Sequence, residues 1–206
     1  MEELKNAVCK LLNAKGNHLP LLQHINELLL KEYGIMTGGY LTLIPKEVEI
    51  YYVNRKSTPP FVDTNMQCMV DPKTNDEIWN LQSGRFGQLY FHQKGSGGID
   101  VCLSDSRDYA LCCTIRAAEV NGEECWSPLK VRNRLVEIIC QHEGLADKQM
   151  VMDWVNRIHS LPMLHRRETS QEGEFFHDSY LFKIDNFFRI FIRCLILCCT
   201  SMWSVR

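Results

Sequence analysis

The residues whose types and spacing could do chemistry begin at Lys46-Glu47-Val48-Glu49-Ile50-Tyr51-Tyr52. Charged and apolar residues alternate there with period two, the pattern of a half-buried strand. Val48 and Ile50 are expected to face a core, and Glu47, Glu49 and Tyr51 to share the opposite face. Two carboxylates and a phenol on one strand face are costly to bury unless that face is wet or functional. A second set lies downstream. In Leu89-Tyr90-Phe91-His92, Tyr90 and His92 share a face, and in Ile99-Asp100-Val101-Cys102-Leu103 Asp100 and Cys102 do. His92 and Asp100 are placed to pair across the intervening glycine turn. Arg116 falls on the polar face of a third strand, where it could bind a phosphate or hold Glu49 ionised. The structural alternative is a cross-strand ion pair between Glu49 and Arg116.

Other chemistries are excluded by spacing. The Gly95-Ser96-Gly97-Gly98 turn is followed by a strand and by no Lys-Ser/Thr pair, so it is a hairpin connection and not a phosphate loop. No serine or cysteine sits in a nucleophile elbow, and the Asp/Glu spacing matches no calcium loop. The ten cysteines include no CxxC and no short-spaced Cys/His set, so neither structural zinc nor any other metal or cofactor is expected. Cys112-Cys113 and Cys198-Cys199 sit inside apolar runs, where reduced thiols act as small hydrophobes.

The elements that must position these residues follow from the pattern. Leu4, Val8, Leu11 and Leu12 have helical spacing, and a second helix with Leu21, Leu22, Ile25, Leu28 and Leu29 on one face runs to about Tyr33. Strands are expected over 40–44 and 46–53, separated by Pro45, then over 89–92, 99–103 and 109–120. Residues 61–84 lack periodicity and read as a long irregular segment over a site. Ser127-Pro128 opens a helix to about Cys140 carrying Lys130, Arg132 and Arg134, and residues 147–159 form another. The polar stretch 165–178 reads as a loop. The apolar tail 187–203 is interrupted by Arg189 and Arg193, too short for a bilayer span of about 20 residues.

Together these elements predict an α+β fold: a curved antiparallel sheet or partial barrel flanked by N- and C-terminal helices. The chain of 206 residues is expected to form a single domain, with a helical section over 1–36, a core over 40–140 and a helical tail section over 141–206. A net charge of −2 supplies no global field for nucleic acid or an anionic membrane. The charged start Met1-Glu2-Glu3-Leu4-Lys5 shows no signal peptide, so an intracellular, monomeric protein is expected.

The order of these pieces resembles the methylpurine (alkyladenine/3-methyladenine) DNA glycosylase family. The matching stretches are Glu47-Val48-Glu49-Ile50-Tyr51, Gly87-Gln88-Leu89-Tyr90-Phe91-His92, Gly98 to Leu103, and Thr114-Ile115-Arg116-Ala117-Ala118-Glu119-Val120-Asn121-Gly122. The helix opening at Ser127-Pro128 falls where the family has a similar one, so the resemblance covers roughly residues 40–140. It implies a partner, duplex DNA with a damaged purine, and metal-free hydrolysis. It also implies roles: Glu49 matches the carboxylate that activates water, Tyr51 an aromatic that stacks on the flipped base, and Arg116 an arginine near the water and the DNA backbone. Tyr90 lies in the family's aromatic hairpin, and His92 stands where that hairpin has a second stacking tyrosine. Asp63 is the polar residue nearest the place of a family histidine, and Ser104 stands where the family has an asparagine. Such hydrolysis needs a base for water and flat walls to hold the extruded base, and Glu49, Tyr51, Tyr90 and His92 are of those types. The alternative is a catalytically inactive or small-ligand or nucleic-acid-binding module on the same fold.

Overall fold

The computed structural model describes residues 1–54, 56, 84–92, 97–157 and 163–167. Asp63, nearly all of segment 61–84, hairpin residues 94–96 and the tail 187–203 lie outside the described residues. Met1–Arg167 forms one compact unit. Its architecture is α+β, with a curled antiparallel sheet flanked by helices on either side of it in the chain.

Two helices open the chain, α1 (Glu2–Asn13) and α2 (Leu19–Glu32). Their 3.6-residue periodicity buries Leu4, Ala7, Val8 and Leu11 from the first, and Leu22, Ile25, Leu28 and Leu29 from the second. Pro20 sits in the first turn of α2, where its missing N–H costs nothing. Instead of a glycine-rich stop, α2 passes directly into β1 (Tyr33–Thr37), inside the section expected to be helical. Gly34 and the short length masked this strand's signal.

The sheet continues with β2 (Leu41–Asn54), β3 (Leu89–Phe91), β4 (Ile99–Cys102), β5 (Tyr109–Val120) and β6 (Glu123–Cys125). After α3 (Pro128–Glu143) and α4 (Lys148–Arg157), the described strands end with β7 (Met163–Arg166), whose second half falls in the stretch 165–178 expected to be a loop. The order is β3-β4-β5-β2-β1-β7, with β6 paired to the end of β5. Helix α3 is bounded as its sequence dictates. The Ser127 hydroxyl accepts from the Lys130 amide, Pro128 holds the first turn, and Gly144 closes it at φ +65°.

One face of the sheet packs on all four helices. Ile35, Leu43, Tyr52, Leu89, Phe91, Val101, Leu111, Cys113 and Ile115 join the buried helix side chains in a single apolar cluster, with Val48 and Ile50 packed against it. The opposite face carries a small separate cluster of Val53, Ala110 and Cys112 with Tyr51. Buried Arg85 ties the helices to the sheet edge, donating to the Val155 and Asn156 carbonyls at the end of α4 and to Leu89. A cation against the last carbonyls of a helix satisfies groups that have no partner within it.

Pro45 does not divide β2 into two strands. The β2–β5 ladder runs unbroken in register from Leu43↔Val120 to Pro45↔Ala118, and from Val48↔Ile115 to Asn54↔Tyr109. Between these stretches it is irregular. Glu47 pairs with Ala117, while Lys46 and Arg116 have no ladder partner across the β2–β5 junction. Each strand thus carries one extra residue, a paired bulge that inverts side-chain parity. Leu41 and Leu43 face the helices before it, and Val48, Ile50 and Tyr52 after it. Glu49 and Tyr51 are thereby turned to the face away from the helices.

Candidate functional site

Of the side chains predicted to do chemistry, Glu49, Tyr51, Tyr90, His92 and Arg116 belong to that second face. Glu49 of β2 lies opposite Thr114 of β5, which lies opposite Asp100 of β4, which lies opposite Tyr90 of β3. Four strands therefore contribute one residue each to a single row. At strand spacings of about 4.8 Å, Glu49 and Asp100 are on the order of 10 Å apart with Thr114 between them. The neighbouring row consists of Tyr51, Cys112 and Cys102.

Glu49 is paired with Arg116, whose Nε stands 3.0 Å from Oε2. That oxygen is buried, and the guanidinium N–H is not aligned on it as a hydrogen bond. The pair has a mirror image. Lys46 Nζ lies 3.3 Å from Glu119 Oε2, so each residue skipped by the ladder reaches a glutamate on the other strand. The two pairs are also buried to similar degrees, with side-chain exposures of 12% and 34% for Glu49 and Arg116 against 31% and 14% for Glu119 and Lys46.

At the other end of the row, Asp100 is almost fully buried and receives two groups on one oxygen. The Thr114 hydroxyl donates to Oδ1 at 2.6 Å, and His92 Nε2 stands 2.8 Å from the same atom with the oxygen off the N–H axis. The pairing expected across the glycine turn is therefore present. Gly98 makes it possible: a Cβ there would lie 2.9 Å from His92 Nδ1 and 3.3 Å from the Thr114 methyl. The backbone amide of His92 also bonds to the Gly98 carbonyl at 2.9 Å.

Tyr51 is half-buried beside Cys112. Tyr90 is buried, with the Arg85 guanidinium carbon 5.8 Å from its ring centre. Ser104 is not brought to Glu49. Its hydroxyl is committed to the sheet, accepting from the Leu111 amide at 2.9 Å and bonded to the Leu111 carbonyl at 3.2 Å. It clasps the β4–β5 hairpin, a structural use that a hydroxyl after a strand often has. Asp63 lies outside the described residues.

Of the other two members of the row, Asp100 was expected only as a partner of His92, and Thr114 was not singled out at all. Their signal was present, because strict alternation along 99–103 and 109–120 places both on the polar side. What periodicity cannot supply is the register that sets them opposite one another.

Among the described residues no disulfide joins any of the six cysteines, Cys9, Cys102, Cys112, Cys113, Cys125 and Cys140. Burial pushes the Cys113 thiol well above its ordinary range, and the nearby Asp100 charge adds to the effect. Among the described residues no group of three or more His, Cys, Asp or Glu is arranged to hold a metal ion. Among the same residues no helix is long and apolar enough to cross a membrane. Comparison with known proteins finds no matching family model, no matching curated protein and no matching solved structure.

Proposed function

We propose that the protein is a monofunctional DNA glycosylase-like hydrolase acting on a damaged purine, alkylated or deaminated, extruded from duplex DNA. The observation that carries this reading is the alignment of Glu49, Thr114, Asp100 and Tyr90 in one row, with Arg116 on Glu49 and His92 on Asp100. The sequence resemblance to methylpurine DNA glycosylases supports it from a separate direction. In this reading Glu49 takes a proton from water as the water oxygen bonds to C1′ of the sugar. The C1′–N bond breaks and its electron pair leaves with the base. Arg116 orients Glu49 and contacts the DNA backbone, and Tyr51 and His92 flank the flat base. The chemistry asks for no metal or organic cofactor.

The second reading is a catalytically inactive module of the same fold that binds a small ligand or nucleic acid. It is favoured by the Lys46–Glu119 pair, which repeats the Glu49–Arg116 arrangement at the same bulge but outside the row of polar residues. The two are separated by incubating micromolar protein with duplexes that each contain one hypoxanthine or one alkylated purine. Release of a free base, abolished in Glu49→Gln, supports the hydrolase. Retention of lesion duplex without release from any substrate sinks it in favour of the binding module.

A further inference from the structure

Asp100 is the most deeply buried charged group on the second face, only 3% exposed. A buried carboxylate is expensive, and replacing such a group and its partners by apolar residues is often neutral or stabilising. The two buried charged residues of the described chain differ in how that cost is met. Arg85 is explained by the fold, since it caps the carbonyls of α4. Asp100 is placed differently, within strand β4 and opposite Tyr90 and Thr114. Its Oδ1 gathers the Thr114 hydroxyl from one strand and the His92 ring from the end of another, and Gly98 leaves out the side chain that would block the ring. Three strands and a glycine thus converge on the placement of one imidazole, which remains partly exposed at 12%.

We infer that Asp100 and Thr114 are positioning residues of the candidate site, acting through His92, and that His92 is a hydrogen-bonding group of fixed orientation as well as a wall. This rests on the hydrolase reading above for its consequence, though not for its geometry. A carboxylate oxygen only accepts, so the Nε2 facing Asp100 carries a hydrogen. The ring's other edge, with Nδ1, is left to address a ligand lying over Thr114, opposite Glu49. The site then has two ends. Glu49 with Arg116 handles the water and the sugar, and His92 with Asp100 handles the base.

The test reads the ring directly and does not require activity. Proton NMR of the intact protein, with His92→Gln used for assignment, is expected to show a downfield His92 Nε2–H resonance protected from solvent exchange. The resonance should persist in Thr114→Ser, weaken in Thr114→Val and vanish in Asp100→Asn while the backbone amide spectrum stays folded. Should Asp100→Asn fail to fold, the Thr114→Val and Thr114→Ser pair decides by itself. In the base-release assay Asp100→Asn is expected to lose about 10- to 100-fold in kcat, the usual effect of removing a carboxylate behind a working histidine, with KM within threefold. An unprotected His92 N–H in the wild type, or one unchanged in these variants, overturns the inference. A protected resonance in a protein that releases no base leaves the His92–Asp100 assignment standing and removes the hydrolase reading instead.

Discussion

Glu49–Arg116 and Glu119–Lys46 are near-copies of one another. Each joins a residue skipped by the β2–β5 ladder to a glutamate of the opposite strand, at 3.0 and 3.3 Å and with similar burial. Their surroundings differ. Beside Glu49 run Thr114, Asp100 and Tyr90 in one row and Tyr51 in the next. Glu119 instead lies opposite Glu124 of the short strand β6, at the solvent-facing end of the sheet. The comparison teaches that an ion pair at a bulge is not itself a sign of catalysis. What singles out Glu49 is the set of polar neighbours that the sheet's register delivers to it.

The largest expected effect breaks this symmetry outright. Glu49→Gln is expected to lower base release by about 100-fold or more, the low end of general-base contributions. Glu119→Gln should stay within about threefold of wild type by the same assay. Equal losses in both variants would mean that the pairs serve the bulge and nothing else. Next comes the apolar face on which both pairs rest. Leu111→Ala, with its side chain in the helix-side cluster, should cost about 3 kcal/mol in urea unfolding, as large-to-small core changes do. Smaller still is the stability cost of the pairs. Glu49→Gln and Glu119→Gln should each destabilise by about 1 kcal/mol or less, because the arginine and lysine they leave behind keep some contact with water. A cost for Glu49→Gln well above that for Glu119→Gln would reassign Glu49 to a structural role.

A fourth outcome concerns alkaline pH. Burial first, and then the bond to Asp105 at 2.7 Å, push the Tyr109 phenol above its ordinary value, and burial followed by Glu143 does the same for Tyr40. A raised folded value means the native state holds its proton longer. The resulting stability is fully present below about pH 10, where unfolded tyrosines titrate, and is lost as the pH climbs beyond it. Urea midpoints should therefore decline above that pH, and Tyr109→Phe should flatten the decline.

Much of the fold could be read from residue order alone. Strand β5 spans the predicted 109–120, and α3 and α4 begin where their caps and periodicity place them. The elements not foreseen are short or carry glycine: β1 with Gly34, β6 of three residues, and β7 of four. Too few residues repeat in them for alternation to register. Pro45 misled for another reason. Proline usually ends a central strand, but here it borders a bulge, the one interior position that tolerates it. For the site, alternation found the face on which Glu49, Tyr51, Tyr90, His92 and Arg116 stand. It did not separate Ser104, whose hydroxyl is consumed by Leu111, from Thr114, whose hydroxyl reaches Asp100. Both are small hydroxyl residues, one just after β4 and the other within β5, and only the three-dimensional partner tells them apart.

Strand β1 has consequences for how the chain comes together. It is held on one side by β2, which follows it almost at once, and on the other by β7, made near the end of the compact unit. During synthesis the amides and carbonyls of 33–36 along that second side stay open until residues 163–166 emerge. An unpaired strand border is a template for pairing with another chain. A nascent chain stalled after α4 would expose it for as long as the stall lasts. Once β7 arrives, the Arg167 amide bonds to the Glu32 carbonyl and Arg166 pairs with Glu32 and Glu3, fastening the closing strand to both N-terminal helices. Among the described strands, β7 is thus the clasp for β1, and the edge that β1 presents is sealed only when this later strand arrives.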